Sequence, residues 1–168
     1  VRLVGSEMCI RDSTYIGKEL TWPIYGKATI GKAKEDLDRA AAAITQKLDA
    51  VKGQAYVASL KALVTQASSA IPIMPLYISL LYRVMKEEGT HEGCIEQIYG
   101  LFQQALYNSS RTLDEAGRLR MDGKELSDHI QSAVKELWGQ VTTENIDELT
   151  DYKGYHHEFL RLFGFGYS

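Results

Sequence analysis

Tyr25 and Lys34, with eight residues between them in TWPIYGKATIGKAK, are the pair of side chains in this sequence best suited to acid chemistry. A phenol beside an ammonium is a usable acid. The cation favours the phenolate, lowers the tyrosine pKa from about 10 and stabilises negative charge passed to it. Spacing alone is weak evidence, because with 10 tyrosines in 168 residues a second such pair, Tyr77 and Lys86, also occurs. The two pairs differ in setting. Nine residues of continuous helix at about 100° each carry the second side chain to the opposite face, so Tyr77 and Lys86 cannot converge and Tyr77 reads as core. Gly26 and Gly31 interrupt the stretch from Tyr25 to Lys34, which lets Tyr25 sit on a loop or strand end while Lys34 projects from the first turn of the next helix. The plainer alternative packs Tyr25 with Trp22, Pro23 and Ile24 and leaves Lys34 solvated. The residues alone leave both open.

Other chemistry is poorly represented. There is no GxGxxG, GxxxxGK[ST], HExxH or GxSxG. His91 and Cys94 are three apart, but a zinc site needs three or four ligands and no further Cys or His lies near in sequence, so no metal site is predicted. His156 and His157 are assigned no role.

The elements that must position the Tyr-Lys pair are readable from periodicity. Ala33, Leu37, Ala40, Ala41, Ile44, Leu48 and Val51 recur at helical steps, predicting an amphipathic helix over 31–51 with Gly53 as its C-cap. The apolar run over 55–64 predicts a buried strand. Residues 71–85, apolar nearly all round and opened by Pro72 and Pro75, predict a buried helix. Thr90 opens a further helix that ends at Asn108 to Arg111. A short extended piece falls at 118–121, and Asp122 and Glu125 have capping-box spacing before a helix through Trp138. Short helices near 144–150 and 155–163 complete the pattern. Such a chain is mostly helical with one or two strands, and a strand set among buried helices normally has parallel neighbours. The fold class is therefore α/β, and partner strands for 55–64 are expected upstream.

Composition is that of one compact domain: 45% hydrophobic, 24% charged, 3 Pro. A formal charge of −3 with no basic block argues against nucleic-acid binding. The longest apolar stretch, 70–82, falls short of the roughly 20 residues that cross a bilayer. Two cysteines, Cys9 and Cys94, give no disulfide framework, so a reducing cytoplasm is the default. Residues 1–13, VRLVGSEMCIRDS, are too charged for a signal peptide and look like translated adapter sequence; they are set apart from 14–168 as a non-native leader.

The strings TYIGKELTWPIYGKATIGKAKEDLDRAA, YVASLKALVTQASSAIPIMPLYISLLYRVMKEEGTHEGCIEQIY and ELWGQVTTENIDELTDYKGYHHEFLRLFGFG resemble the bacterial trans-2-enoyl-CoA reductases, also described as NADH-dependent enoyl-acyl-carrier-protein reductases. The resemblance runs from about Thr14 to Gly166. It implies the C-terminal part of a Rossmann-type fold related to short-chain dehydrogenases, with the N-terminal NAD-binding part missing. It further implies Tyr25 as catalytic acid, Tyr15 as a substrate contact, and Lys34, Leu63, Val64 and Thr65 as NADH contacts. The implied reaction is reduction of the 2,3 double bond of enoyl-CoA or enoyl-acyl-carrier-protein in fatty acid synthesis, by a monomeric full-length enzyme. Lys34 would keep the Tyr25 hydroxyl polarised, Val64 and Thr65 would offer backbone groups to the carboxamide, and the helix over 71–85 would wall the acyl chain. One departure is visible: Gly26, Lys27 and Ala28 stand where the family commonly has Arg, an acidic residue and Gly. The alternative reading is a non-catalytic helical fragment or interaction module. In either case the chain by itself is expected to expose the edges of its strand, to leave the face of the helix over 31–51 without a partner sheet, and to bind no NADH.

Overall fold

The computed structural model describes residues 9–107 and 113–166, with the side chains of 9–12 excepted. Three strands form one parallel sheet in the order β1 (Cys9–Thr14), β2 (Gln54–Ser59), β3 (Arg118–Arg120). Cys9 to Thr14 pair with Gln54 to Ser59 over the full length of β2, and Val57 to Ser59 pair with Arg118 to Arg120 on its other edge. One edge of β2 is therefore paired throughout and the other over Val57–Ser59, in place of the exposed edges expected from the sequence. Strand β1 takes residues 9–13 from the segment set apart as leader. Ladder hydrogen bonds use only backbone groups, which is why charge at Arg11 and Asp12 did not preclude a strand there. Residues 1–8 lie outside the described residues.

Between β1 and β2 the chain makes a one-turn helix, α1 (Trp22–Tyr25), and the long α2 (Thr29–Lys47). The helix α2 packs on β2, so it too has the sheet partner it was expected to lack. It ends sooner than its apolar period suggests. Asp49–Val51 tighten into a 3-10 turn, and Lys52 rather than Gly53 takes the left-handed conformation, at φ 53°. Tyr56 and Ala58 point to the opposite face of the sheet, where they meet Leu101, Leu106 and Leu119.

Beyond β2 follow α3 (Gln66–Ser69), α4 (Met74–Glu87) and α5 (Cys94–Gly100), the last continuing as a π-helical turn, Leu101–Leu106. The helix end read at Asn108 to Arg111 lies outside the described residues. After β3 come α6 (Asp128–Gln140), α7 (Ile146–Leu149) and α8 (Tyr152–Arg161). The larger core forms around α4, whose Tyr77, Ile78, Leu80, Leu81 and Met85 are almost wholly buried against Ile130 and Val134 of α6 and Tyr155 of α8. Lys86 leaves this helix toward Asp151, 2.6 Å away, and does not meet Tyr77.

Asp122 and Glu125 correct the capping-box reading. The helix α6 starts only at Asp128, its N-cap Ser127 makes no side-chain cap bond, and both acids are buried upstream of it. Asp122 accepts from the Ser59 hydroxyl at 2.9 Å and from Arg120 Nε at 2.8 Å, pinning the end of β2 to the chain leaving β3. Loss of a helix cap costs about 1 kcal/mol. Hydrogen bonds to a charged group are worth about 1.5–3 kcal/mol each, so Asp122→Ala is expected to lower stability by about 3 kcal/mol in urea denaturation. A loss near 1 kcal/mol would restore the capping reading.

Candidate functional site

Parallel strands bring their carboxyl ends to one rim, and that is where α/β sheets bind ligands. Here the rim holds a cleft of about 340 Å³ lined by Thr14, Tyr15, Tyr25, Lys34, Leu63 and Thr65 among others. The sequence-predicted residues thus gather in one place, with one exception. Val64 is 1% exposed and turns its side chain away from this cleft, into the core and toward a second cleft beside His91 and Cys94.

Tyr25 is the last residue of α1, and Lys34 stands in the second turn of α2. The two helices approach closely because position 31 is glycine: a Cβ there would lie 2.6 Å from the Gly26 carbonyl oxygen. Gly26 itself lies under the Trp22 ring, where a Cβ would come within 2.3 Å of the indole. Trp22 is therefore stacked over the backbone and largely exposed, whereas Tyr25, 8% exposed, packs edge-on against Tyr15 with ring centroids 4.7 Å apart. The aromatic-cluster alternative held the right residue with the wrong neighbour.

The electrostatics also depart from expectation. Lys34 Nζ donates to Thr14 Oγ1 at 2.7 Å and lies 5.6 Å from the centre of the Tyr25 ring. It therefore reaches the ring and not the hydroxyl. Burial, reinforced by the negative charge of Glu125, pushes the Tyr25 phenol up to about 12, the opposite of the lowering that Lys34 was expected to produce. Among the described residues the Tyr25 hydroxyl makes no hydrogen bond, so it faces the cleft as a protonated donor with no competing acceptor. The Tyr15 hydroxyl is engaged, donating to Glu125 Oε1 at 2.9 Å and lying 3.2 Å from Thr21 Oγ1. What Tyr15 offers the cleft is its ring.

The segment after β2 closes the other side. Thr65 opens α3 through a capping box in which its amide donates to Ser68 Oγ at 2.9 Å and its own Oγ1 accepts from Ser68 N at 3.0 Å. Ser68 Oγ also donates to the Leu63 carbonyl at 2.8 Å. Thr65 thus has no backbone donor to spare, the Val64 amide is turned to the Tyr82 hydroxyl, and the Leu63 amide is the donor this segment can offer. Ile71 and Met74, ahead of and at the start of α4, line the cleft; the rest of that helix is core.

Two residues that the sequence did not reveal as part of the site are Lys61 and Glu125, both essentially fully buried behind it. Lys61 Nζ donates to the Ala62 and Glu92 carbonyls, each at 3.0 Å, and burial draws its pKa down. Burial raises that of Glu125, against the pull of Lys61. Glu125 carried no local signal, since its partners are at positions 15, 62 and 77. The second cleft, about 450 Å³, holds His91 edge-on to Tyr82 and 3.6 Å from Glu158.

Residues 5–107 match the family model described as the trans-2-enoyl-CoA reductase catalytic region. The chain belongs to this family. Residues 113–168 match a second model, described as an enoyl reductase FAD binding domain. An enoyl-[acyl-carrier-protein] reductase [NADH] of Pseudoalteromonas atlantica is 74% identical over 152 residues, which are 90% of this chain and 39% of that protein. One of Idiomarina loihiensis is 68% identical, covering 92% and 40%. A Clostridium trans-2-enoyl-CoA reductase crystallised with NADH superposes with TM-score 0.89 at 47% identity, over 94% of this chain and 40% of that one. The Treponema denticola enzyme crystallised with NAD gives 0.88 at 45%, over 94% and 39%. The chain spans about 40% of the length of the reductases it matches.

The two cofactors named by these relatives fit differently. A cleft at the strand ends with an ammonium, an unengaged phenol and a spare amide at Leu63 suits the nicotinamide ribose half of NADH. The stretch 113–166 supplies only partial walls to clefts shared with other segments, and among the described residues it forms no cradle for a flavin ring. No chemistry is routed through one.

A raised tyrosine pKa ties stability to pH with a definite sign. The folded chain holds the Tyr25 proton more tightly than the unfolded one, so this contribution is intact below the unfolded value of about 10 and is lost as pH rises through about 12. Urea midpoints measured from about pH 9 to pH 12 are expected to fall above pH 10, and to fall less in Tyr25→Phe. Equal slopes for the two proteins would refute the assignment.

Proposed function

We propose that this chain carries the acid-bearing half of the site of an NADH-dependent reductase acting on the 2,3 double bond of trans-2-enoyl thioesters, carried on acyl carrier protein or CoA, in fatty acid synthesis. One observation carries the reading. Tyr25, with an unengaged protonated hydroxyl, shares a strand-end cleft with Lys34, in a chain 74% identical to a curated enoyl-acyl-carrier-protein reductase over nearly all its length. No helix among the described residues is long and apolar enough to cross a membrane. The full-length enzyme is proposed to be cytoplasmic and monomeric, as the family resemblance implies.

When bound, NADH supplies a hydride to the β-carbon and leaves as NAD⁺. As that carbon gains hydrogen, the double-bond electrons move toward the thioester carbonyl and negative charge collects on its oxygen. Tyr25 meets that charge with a hydrogen bond and then its proton, and its raised pKa keeps the proton in place until the enolate forms. Lys34, anchored on Thr14, would hold the ribose and balance the phenolate that results. The Leu63 amide would orient the carboxamide. Ile71 and Met74 would exclude water beside the acyl chain.

The Gly-rich turn that grips the pyrophosphate in dinucleotide folds is not in this sequence. The domain reading follows: 14–168 as the catalytic and substrate-binding part, with most cofactor affinity supplied elsewhere. Titration of the 168-residue chain is accordingly expected to show no saturable NADH binding at micromolar cofactor, and saturation there would refute the divided site.

Catalysis is tested by grafting residues 14–166 in place of the matching stretch of the Pseudoalteromonas atlantica enzyme. Tyr25→Phe in the graft removes one donor to the developing oxyanion and is expected to cost about 10²- to 10³-fold in kcat with little change in NADH affinity. Lys34→Ala is expected to weaken NADH binding as well. Retention of more than half of the turnover by Tyr25→Phe would overturn the acid assignment.

A further inference from the structure

Behind the cleft sits a carboxylate for which the proposed chemistry has no use. Glu125 is 0% exposed, and donors from three separate segments converge on it. The Tyr15 hydroxyl donates to Oε1 at 2.9 Å, the Tyr77 hydroxyl to the same oxygen at 2.7 Å, and the Ala62 amide to Oε2 at 2.6 Å. Tyr15 follows β1, Ala62 follows β2 and Tyr77 belongs to α4. Gln131 of α6 completes the cluster, its Nε2 donating to the Tyr77 hydroxyl at 3.0 Å and to the Glu125 carbonyl at 2.9 Å.

Stability alone is a poor reason to bury this charge. Desolvating a carboxylate is costly, and well-packed apolar residues are often as good or better where nothing but cohesion is needed. What the carboxylate does that an apolar side chain cannot is fix three donors in direction. Two of them bear on the cleft directly: the Tyr15 ring supports Tyr25 edge-on, and Ala62 begins the segment that runs along the opposite wall.

We propose that Glu125 is a positioning residue of this site, its carboxylate tying Tyr15 to the Ala62 backbone so that the Tyr15 ring holds Tyr25 at a fixed distance from the segment 62–65. The inference rests on the reading of Tyr25 as the acid. It adds a second action through charge. Tyr25 is faced by Tyr15, by Lys34 from α2 and, at longer range, by Glu125; Glu125 is faced in turn by Lys61, Tyr15 and Tyr77. The Glu125 charge favours the neutral phenol, so it keeps Tyr25 a donor.

The test separates reach from charge. Glu125→Gln can fold, because the amide oxygen can take the Ala62 N–H while its nitrogen donates to the two hydroxyls. In the 168-residue chain labelled with ¹³C at the tyrosine ζ-carbons, Tyr25 is assigned by loss of its signal in Tyr25→Phe. The wild-type signal is expected to hold its phenol position to about pH 11, and in Glu125→Gln to begin moving at lower pH. In the graft, Glu125→Gln, which keeps the reach and loses the charge, is expected to hold kcat within about threefold of wild type, whereas Glu125→Asp, charged but short, is expected to lower kcat about 10²-fold, the scale of a misplaced catalytic group, with an unchanged KM for NADH and a wild-type titration. Should Glu125→Gln fail to fold, Tyr15→Phe keeps the ring and the carboxylate, gives up the bond between them and the contact with Thr21, and should lower kcat without moving the titration. A folded Glu125→Asp with wild-type kcat, or a folded Glu125→Gln with an unmoved Tyr25 signal, overturns the proposal. Failure of the acid reading shows separately, as turnover retained by Tyr25→Phe, while the Tyr25 titration still judges Glu125.

Discussion

Parallel pairing of β2 with both neighbours is the constraint on which the rest of the molecule depends. Strands that run the same way end at the same rim, so the residues that follow each of them become neighbours although they are far apart in sequence. Tyr15 follows β1, Lys61 to Thr65 follow β2, and Asp122 and Glu125 follow β3. The same pairing forces the chain to return across the sheet between β1 and β2, and that return is α2. Lys34 reaches the rim because α2 begins there, and it begins close enough to α1 because Gly31 lacks a side chain.

A rim built this way carries many backbone groups and few regular hydrogen bonds, and buried side chains make up the difference. Gln97 is the clearest case. Its oxygen takes the Lys61 amide at 3.1 Å, and its nitrogen reaches the Met121 carbonyl at 3.1 Å and Glu92 at 2.7 Å, joining the segments that leave β2 and β3. Asp122 does the same with Ser59 and Arg120. The interior near the cleft is therefore polar by necessity, although it adjoins the apolar core around α4 through Tyr15, Tyr25 and Met74. Networks of this kind specify one arrangement more sharply than apolar contact does, because each member left without its partner is costly.

Local pattern in the sequence reached the elements and the Tyr-Lys pair, and it stopped where partners are distant. The helices α2 and α4 were visible because their periodicity is a property of consecutive residues. The strand β1 was not, since its six residues show no alternation and a ladder needs none. Asp122 and Glu125 were misread for an instructive reason: two acids three apart ahead of an apolar run look the same whether they cap a helix or anchor a buried junction, and only burial separates the two. The sign of the Tyr25 shift failed for a related cause. Lys34 is near in sequence and was counted, while the burial that dominates the shift, and Glu125 a hundred residues on, were not. The resemblance to a reductase family named the right residues for the cleft, yet it could not say that the Tyr15 hydroxyl is already taken or that Val64 faces the other way.

The third strand has a consequence for how the chain reaches this structure. Arg118–Arg120 adds only three residues of ladder to β2, and the segment between Ser59 and Arg118 holds α3, α4 and α5. Closing so long a loop for so short a ladder loses much chain entropy before any pairing offsets it. The unit of β1, α2 and β2 has much shorter separations and can condense first. Docking of β3, and with it the burial of Asp122 and Glu125, is then the late, slow event of folding, as non-local pairings are in general. The cleft would acquire its final shape only at that step, with two of its three strand ends already waiting.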